Sequence, residues 1–425
     1  MAGNWRHTTL GEFVSLQRGH DLTEIERKPG TIPVMGSAGQ NGFHDIALAK
    51  GPGIVIGRSG ASFGQVHYCP VNYWPHNTAL YVTDFHGNDP KFAYYFLKSI
   101  SFARYNSGSA QPSLNRNFIY PIEVNVPPLE EQHAIAHILG KLDDKIELNR
   151  RMSETLEAIA RAIFKSWFVD FDPVRAKASG EPSETICHRL GLTPDLLALF
   201  PDRLVDSELG EIPEGWFVWA VRDVGNIVCG KTPPTKNPAY YGNDIPFITI
   251  PDMHGNVFAT MTQRKLSHKG AVSQTKKTLP AGSICVSCIA TPGLVVITTE
   301  DSQTNQQINS VVPEHLGETY YWFWTLRDLG DEIRAGGSGG SVLTNLSTGR
   351  FSEMRVLAAT ADLRCSYQEL LAPLFEVILS NTNQTRTLAS LRDTLLPKLL
   401  SGELRVPETV GWADEGSPTP ASPQN

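Results

Sequence analysis

The period of the apolar positions divides the chain. Over residues 129–168 they recur at helical spacing, without proline and with only Gly140 as an interruption. In heptad terms the a positions are Ile135, Leu142, Asn149, Leu156 and Ile163, and the d positions are Ile138, Lys145, Met152, Ile159 and Ser166. Lys145 and Ser166 break the pattern, while Ile146 and Trp167 beside them widen the stripe. A second such run has Tyr367, Leu374, Asn381, Leu388 and Leu395 at a, and Leu370, Val377, Gln384, Leu391 and Lys398 at d, with Pro397 expected to end or kink the helix. Two matched heptad helices near 40 residues predict a coiled coil. Asn149 and Asn381 sit at mid-helix a positions, where a buried amide fixes register and needs a partner. In an antiparallel pair the two are expected to share a layer and satisfy each other.

Ahead of each helix the pattern changes to short β-rich runs between Gly, Pro and Asn. In the first stretch these are 53–56, 79–82 and 122–124, with one helix expected over 90–100. Pro127-Pro128 then stops the chain before the long helix. The two stretches are copies. Gly108-Ser109, Leu114, Val124, Leu139, Leu142, Ile146, Asn149, Thr155 and Leu156 recur 232 residues later as Gly340-Ser341, Leu346, Val356, Leu371, Leu374, Ile378, Asn381, Thr387 and Leu388. Near the starts, Trp5 and Gly19 face Trp216 and Gly230 at an offset of 211. The divisions read from these patterns are 1–128, a long helix at 129–168, a Pro-rich acidic connector at 169–215 with a helical patch near 194–200, 216–360, a second long helix at 361–404, and a disordered tail at 405–425. The fold class is α+β: two similar mixed α/β domains and two long helices forming an antiparallel coiled coil, with pseudo-two-fold symmetry. A helix of about 39 residues at 1.5 Å rise is roughly 58 Å long.

Composition adds little to this. The 425 residues carry a net charge of −7. The acid lies in 129–215 (−7) and 361–425 (−3), while 1–128 (+2) and 216–360 (+1) are left to present basic faces. No apolar run reaches membrane length, no signal peptide is seen, and a cytoplasmic protein without a membrane role is expected. The six cysteines form no disulfide or zinc framework; Cys285 and Cys288 read as a buried strand.

No catalytic constellation is found. There is no GxxxxGK[ST], and residues 57–61 lack the spacing of a nucleophile elbow. Asn237-Pro238-Ala239-Tyr240 lacks the second proline of an amino-methyltransferase motif and reads as a turn. What remains suits recognition. The Gly-rich turn holding Arg58, Ser59 and Ser62 lets backbone N–H groups approach phosphate, and Arg binds phosphate or guanine. Gln40, Asn41, Arg104, Ser109, Gln111, Asn115 and Arg116 extend the set, since Asn and Gln read adenine. In the second copy the candidates are Lys231, Lys236, Thr291, Ser338, Ser341 and Asn345. No metal site is expected.

Several blocks together resemble the specificity subunits of type I restriction–modification systems. They are residues 54–60, Tyr73-Trp74-Pro75-His76-Asn77-Thr78, Val126-Pro127-Pro128-Leu129-Glu130-Glu131-Gln132 with its helix, and Phe164-Lys165-Ser166-Trp167-Phe168. Gly210-Glu211-Ile212-Pro213-Glu214-Gly215-Trp216 and residues 395–402 complete the set. The second copy departs from the pattern: Cys288 stands at the place of Arg58, and Thr360-Ala361-Asp362 at that of Pro128-Leu129-Glu130. The resemblance implies two target recognition domains, each reading half of a bipartite double-stranded DNA site, spaced by the coiled coil. It further implies no catalysis and no bound cofactor in this chain. Two modification subunits would use S-adenosylmethionine to methylate adenine, and restriction subunits would use ATP and Mg. The competing readings are a methyltransferase fused to its own recognition domain and a coiled-coil adaptor without nucleic acid.

Overall fold

The computed structural model describes residues 5–106, 112–334 and 346–406. It divides into two compact units, 1–147 with 386–425, and 148–385. Each unit takes in one α/β domain and a stretch of both long helices, Leu129–Phe164 and Ala361–Ser401.

The first unit holds a four-stranded antiparallel sheet in the order Ser15–Arg18, Ala79–Asp84, Gly53–Gly57, Val66–Cys69. A three-stranded sheet runs Gly39–His44, Ile32–Gly36, Trp74–Pro75, its last pair parallel. The strand Arg6–Thr9 pairs with Glu123–Val126, which leads into the first long helix. The helix Pro90–Ser99 falls where the spacing put it, capped by Asp89 with Pro at its first position. It buries Phe92, Tyr95, Phe96 and Leu97 against Leu16, Ile54, Ile135 and Leu139. Burying each large apolar side chain is worth roughly 1.5–3 kcal/mol. Leu399 and Leu400 join the same core.

The second unit repeats this topology. Its main sheet runs Gly225–Cys229, Ile308–Pro313, Ile284–Ser287, Val295–Thr298, with Phe258–Ala259 added at the edge. The strand Phe217–Ala220 pairs with Arg355–Ala358 ahead of the second long helix. Cys285 and Cys288 are buried on or beside the strand Ile284–Ser287, as the apolar run implied.

The connector 169–215 holds the helical patch read near 194–200, as Pro194–Ala198, and more structure beside it. Helices Asp172–Ala178, Ser183–Leu190 and Pro194–Ala198 and a hairpin occupy it. Phe171, Val174, Ile186, Leu197 and Phe200 enter the core of the second unit. Its prolines read as loop signals, yet Pro173 and Pro194 stand in first helical turns, where no donor is lost. Pro397 does not end its helix, which runs through it, and through Pro373, to Ser401.

The seam is corrected too, and with it the pairing of the two asparagines. Along the first long helix Ile135, Leu139, Leu142, Ile146, Asn149, Ser153, Leu156, Ala160, Ile163 and Trp167 are buried or half-buried, and Ile138, Lys145 and Ser166 are half-buried as well. At mid-helix, where Ser153 and Ala160 are covered and Met152 and Ile159 are exposed, the second seam position lies four residues after each a, not three. Met152, Ile159, Leu370, Val377 and Leu391, read as d, are exposed. Small seam residues such as Ser153 and Ala160 disguised the frame.

Within the second unit the helices run antiparallel: Asn149 meets Gln384, Asn381 meets Ser153, and Tyr367 meets the Ala160 carbonyl. In the first unit Asp143 meets Arg392 and Glu131 meets Arg405, in the same sense. Asn149 and Asn381 do not pair with each other. Asn149 Nδ2 donates to Gln384 Oε1 at 2.7 Å, and Asn381 Nδ2 to Ser153 Oγ at 3.4 Å. The partners lie three and four residues past the asparagines, so the two amides sit about one turn apart.

Candidate nucleic-acid interface

In the first unit a tight hairpin joins the strands Gly53–Gly57 and Val66–Cys69. Gly57 N–H donates to Gln65 O at 2.7 Å and Gly64 N–H to Gly57 O at 2.8 Å. A Cβ on Gly57 would lie 2.0 Å from Ser62 O, so no other residue fits. Arg58 is held from three sides. Its N–H donates to Thr78 O at 2.9 Å, its carbonyl accepts from Leu114 N–H at 2.8 Å, and Nη1 donates to Asn77 O at 3.2 Å. Asn77 Nδ2 in turn donates to Asp21, which is paired with Arg18 at 3.3 Å.

Around this turn the fold gathers most of the described first-unit candidates. Ser59 bridges to Ser113, next to Leu114 and Asn115. Gly64 lies against Phe102, which opens the short helix carrying exposed Arg104. Gly36 sits between Asn41 Nδ2 and Thr78 Oγ1, which brings the strand with Gln40 and Asn41 to the same edge. Ser62 is half-buried in the turn itself. Asn115 and Arg116 have structural work at this edge. Asn115 caps the helix Arg116–Ile119, and Arg116 Nη1 donates to Leu16 O at 2.8 Å. Ser109 and Gln111 lie outside the described residues, as do Ser338, Ser341, Asn345 and the tail from 407. His67 Nε2 donates to Ser37 O, 3.2 Å away, and burial pushes its pKa below the ordinary value. It is a neutral brace of the hairpin, not a phosphate clamp.

The second unit builds the same frame from different side chains. Ser287 N–H donates to Leu294 O at 2.9 Å and Gly293 N–H to Ser287 O at 2.8 Å. The carbonyl of Cys288 accepts from Leu346 N–H at 2.9 Å, as that of Arg58 does from Leu114. Ala290, at φ 67°, stands where Gly60 has φ 83°. Thr291 lies in this turn, its carbonyl accepting from Ser287 Oγ at 2.6 Å. Lys231 and Lys236 are exposed on a separate loop, where Lys231 N–H donates to Thr304 O at 2.9 Å. Beside that loop a cleft of about 610 Å³ is lined by Thr235, Tyr241, Asn243, Gln263, Arg264 and Lys265. Sequence reasoning missed this polar strand edge, and Arg18 and Asn77 in the first unit. Among the described residues no cluster of His, Cys, Asp or Glu could hold a metal ion, and no helix is long and apolar enough to cross a membrane.

Comparison with known proteins agrees with this duplicated frame. The sequence matches the type I restriction modification DNA specificity domain twice, over residues 3–158 and 213–356. It is 39% identical over 327 residues to the type I restriction enzyme HindI specificity subunit of Haemophilus influenzae, covering 69% of this chain and 71% of that one. To the MjaIX specificity subunit of Methanocaldococcus jannaschii it is 26% identical over 339 residues, covering 75% and 70%. Its fold is similar to the crystal structure of a type I system S subunit from M. genitalium, with a TM-score of 0.59 at 17% identity over 93% of this chain and 96% of that one. Both halves carry the domain, and the chain belongs to the type I restriction–modification specificity subunits, the DNA-recognition subunits of those systems.

Proposed function

We propose that each unit reads one half of a bipartite double-stranded DNA target, and that the halves differ in sequence. One observation carries this reading: the same backbone frame recurs, pinned by Leu114 to Arg58 and by Leu346 to Cys288, with unlike side chains on it. A common frame approaches the duplex alike, while a half-buried Arg58 in one unit stands where the other has the buried Cys288, so the two present unlike groups to the bases. The chain then supplies address and not chemistry. It has no catalytic site and binds no cofactor. Two modification subunits methylate adenine with S-adenosylmethionine, and restriction subunits act with ATP and Mg. Exposed Met152 and Ile159 on the first helix, and Leu370 and Val377 on the second, support a protein partner on the helices of the second unit. Contacts of Arg58, Ser59, Ser62, Gln40, Asn41 and Arg104 in one unit, and of Lys231, Lys236 and Thr291 in the other, position or read the DNA.

The test is methylome sequencing of a host that expresses this chain with its modification subunit. The expected motif is two short unlike half-sites around a non-specific spacer of roughly half to one turn. A single contiguous block refutes the two-unit reading.

A further inference from the structure

A chain that folds two copies of one domain onto two copies of one helix has a pairing problem: either domain could dock on either helix start. Duplicated domains misassemble in this way. The docking contacts differ between the units at equivalent places, and they differ coherently.

In the first unit, Gln132 is buried at the start of the first long helix. Its Nε2 donates to Asn88 Oδ1 at 2.9 Å and Pro127 O at 3.0 Å, and its Oε1 accepts from Asp89 N–H at 2.9 Å. The equivalent of Gln132 in the second unit, 232 residues on, is Arg364, also buried. Arg364 binds Glu318 through two bonds of 2.8 and 3.0 Å, and donates to Ala359 O, the equivalent of Pro127 O. Asn88 and Glu318 both sit just before the domain helix that faces this point. The guanidinium of Arg364 also lies 5.2 Å from the rings of both Trp219 and Trp322. By strand register and helix position those tryptophans replace Thr8 and Ala93 of the first unit.

Further down the helix the polarity is reversed. In the first unit Asp143 accepts from Tyr95 Oη and Arg392 Nη1, each at 2.6 Å. In the second unit the equivalent three residues are Trp324, Phe375 and Ala160, all fully buried. One unit is thus neutral above and charged below, and the other is charged above and apolar below.

We propose that these two layers are matched keys that make each recognition domain dock on its own helix and reject the other. Docked wrongly, Arg364 loses both tryptophan faces to Thr8 and Ala93, and at the place of Glu318 it meets Asp89, whose carboxylate already caps the helix at Phe92 N–H. Glu318 meets Gln132, Asp143 meets Trp324, and Tyr95 meets Phe375. Arg364 loses its two-bond carboxylate partner, the buried Tyr95 hydroxyl loses its acceptor, and half-buried Asp143 loses its donor, each a mismatch that costs free energy. Specificity here is a difference between two dockings, and it is built by penalising the wrong one.

The test is refolding of the full chain from urea, reading the fraction recovered as the species of the native protein by size exclusion with light scattering. Variant one, E318N/R364Q, replaces the second unit's upper ion pair with a neutral amide pair and keeps Trp219 and Trp322. Variant two, Y95W/D143F/R392A, gives the first unit the second unit's lower layer. Each leaves one layer distinct and recovers at least half of the parent fraction. Combined, they remove the charge difference of both layers and leave only the two tryptophans to tell the units apart, and recovery falls at least fivefold below the product of the two single losses. A combined loss equal to that product, or no combined loss, overturns the proposal. So does failure of either single variant to refold, because that layer is then a plain requirement of packing.

Discussion

Asn149→Leu should stabilise the protein. The side chain is fully buried, and its Oδ1 has no hydrogen-bond partner among the described residues. Such an orphan acceptor costs about 1–3 kcal/mol, and the single bond from Nδ2 to Gln384 returns about 1. Leucine removes the orphan and adds roughly 1.5–3 kcal/mol of apolar burial. Gln384 is exposed and turns its freed carbonyl to water. Allowing for imperfect fit in the seam, the net gain is about 2 kcal/mol, or roughly 4–8 °C for a unit of this size. Thermal and urea unfolding followed by circular dichroism measure it. The cycle with Asn381→Leu is the sharper readout. The two amides have separate partners, so the changes should add to within about 0.5 kcal/mol. A coupling above about 1 kcal/mol, or a destabilised single variant, refutes the separate pairing of the two asparagines.

Arg58→Ala should weaken DNA binding by the assembled complex and lower its salt slope by about one, if the guanidinium neutralises a phosphate; binding titrations at several salt concentrations check this on a folded variant. Arg364→Met strands Glu318, which is buried, and should cost about 3–5 kcal/mol by urea unfolding, recovered in large part when Glu318→Gln is added. Burial pushes the thiols of Cys285 and Cys288 up to about 12 and about 11. Thiolate is the reactive form, so at pH 8 iodoacetamide should spare both and label exposed Cys365 first, read by peptide mass spectrometry. Above pH 9 the unfolded chain loses thiol protons that the native state keeps, so stability should fall as pH rises from 9 to 11.

The large elements could be read because their signals are periodic and local. The helix Leu129–Phe164 and the helix Pro90–Ser99 follow from spacing and caps alone. The seam could not be placed to one residue, since Ile138 and Leu139 are equally apolar and only packing chooses between them. In the connector only the patch near 194–200 was legible; the other helices there are held by tertiary packing, with Phe171 against Trp216 and Phe200 against Trp167. At the candidate interface, Gly57 and Arg58 were visible because a Gly-rich turn has few uses. Arg18 and Asn77 were not, because only the tertiary fold brings them beside Arg58.

The first unit is discontinuous in the chain, and this sets an order of events during synthesis. Its core takes Leu399 and Leu400, yet residues 148–385 separate the two parts of the unit. A ribosome moving at 5–20 residues per second needs roughly 12–50 s to cross that interval. Throughout it the nascent first domain exposes the apolar surface meant for those leucines, while the second unit, continuous in sequence, emerges with every residue it needs. The second unit should therefore close first, and the half-finished first unit is the species that a trigger chaperone or a protease meets on the ribosome.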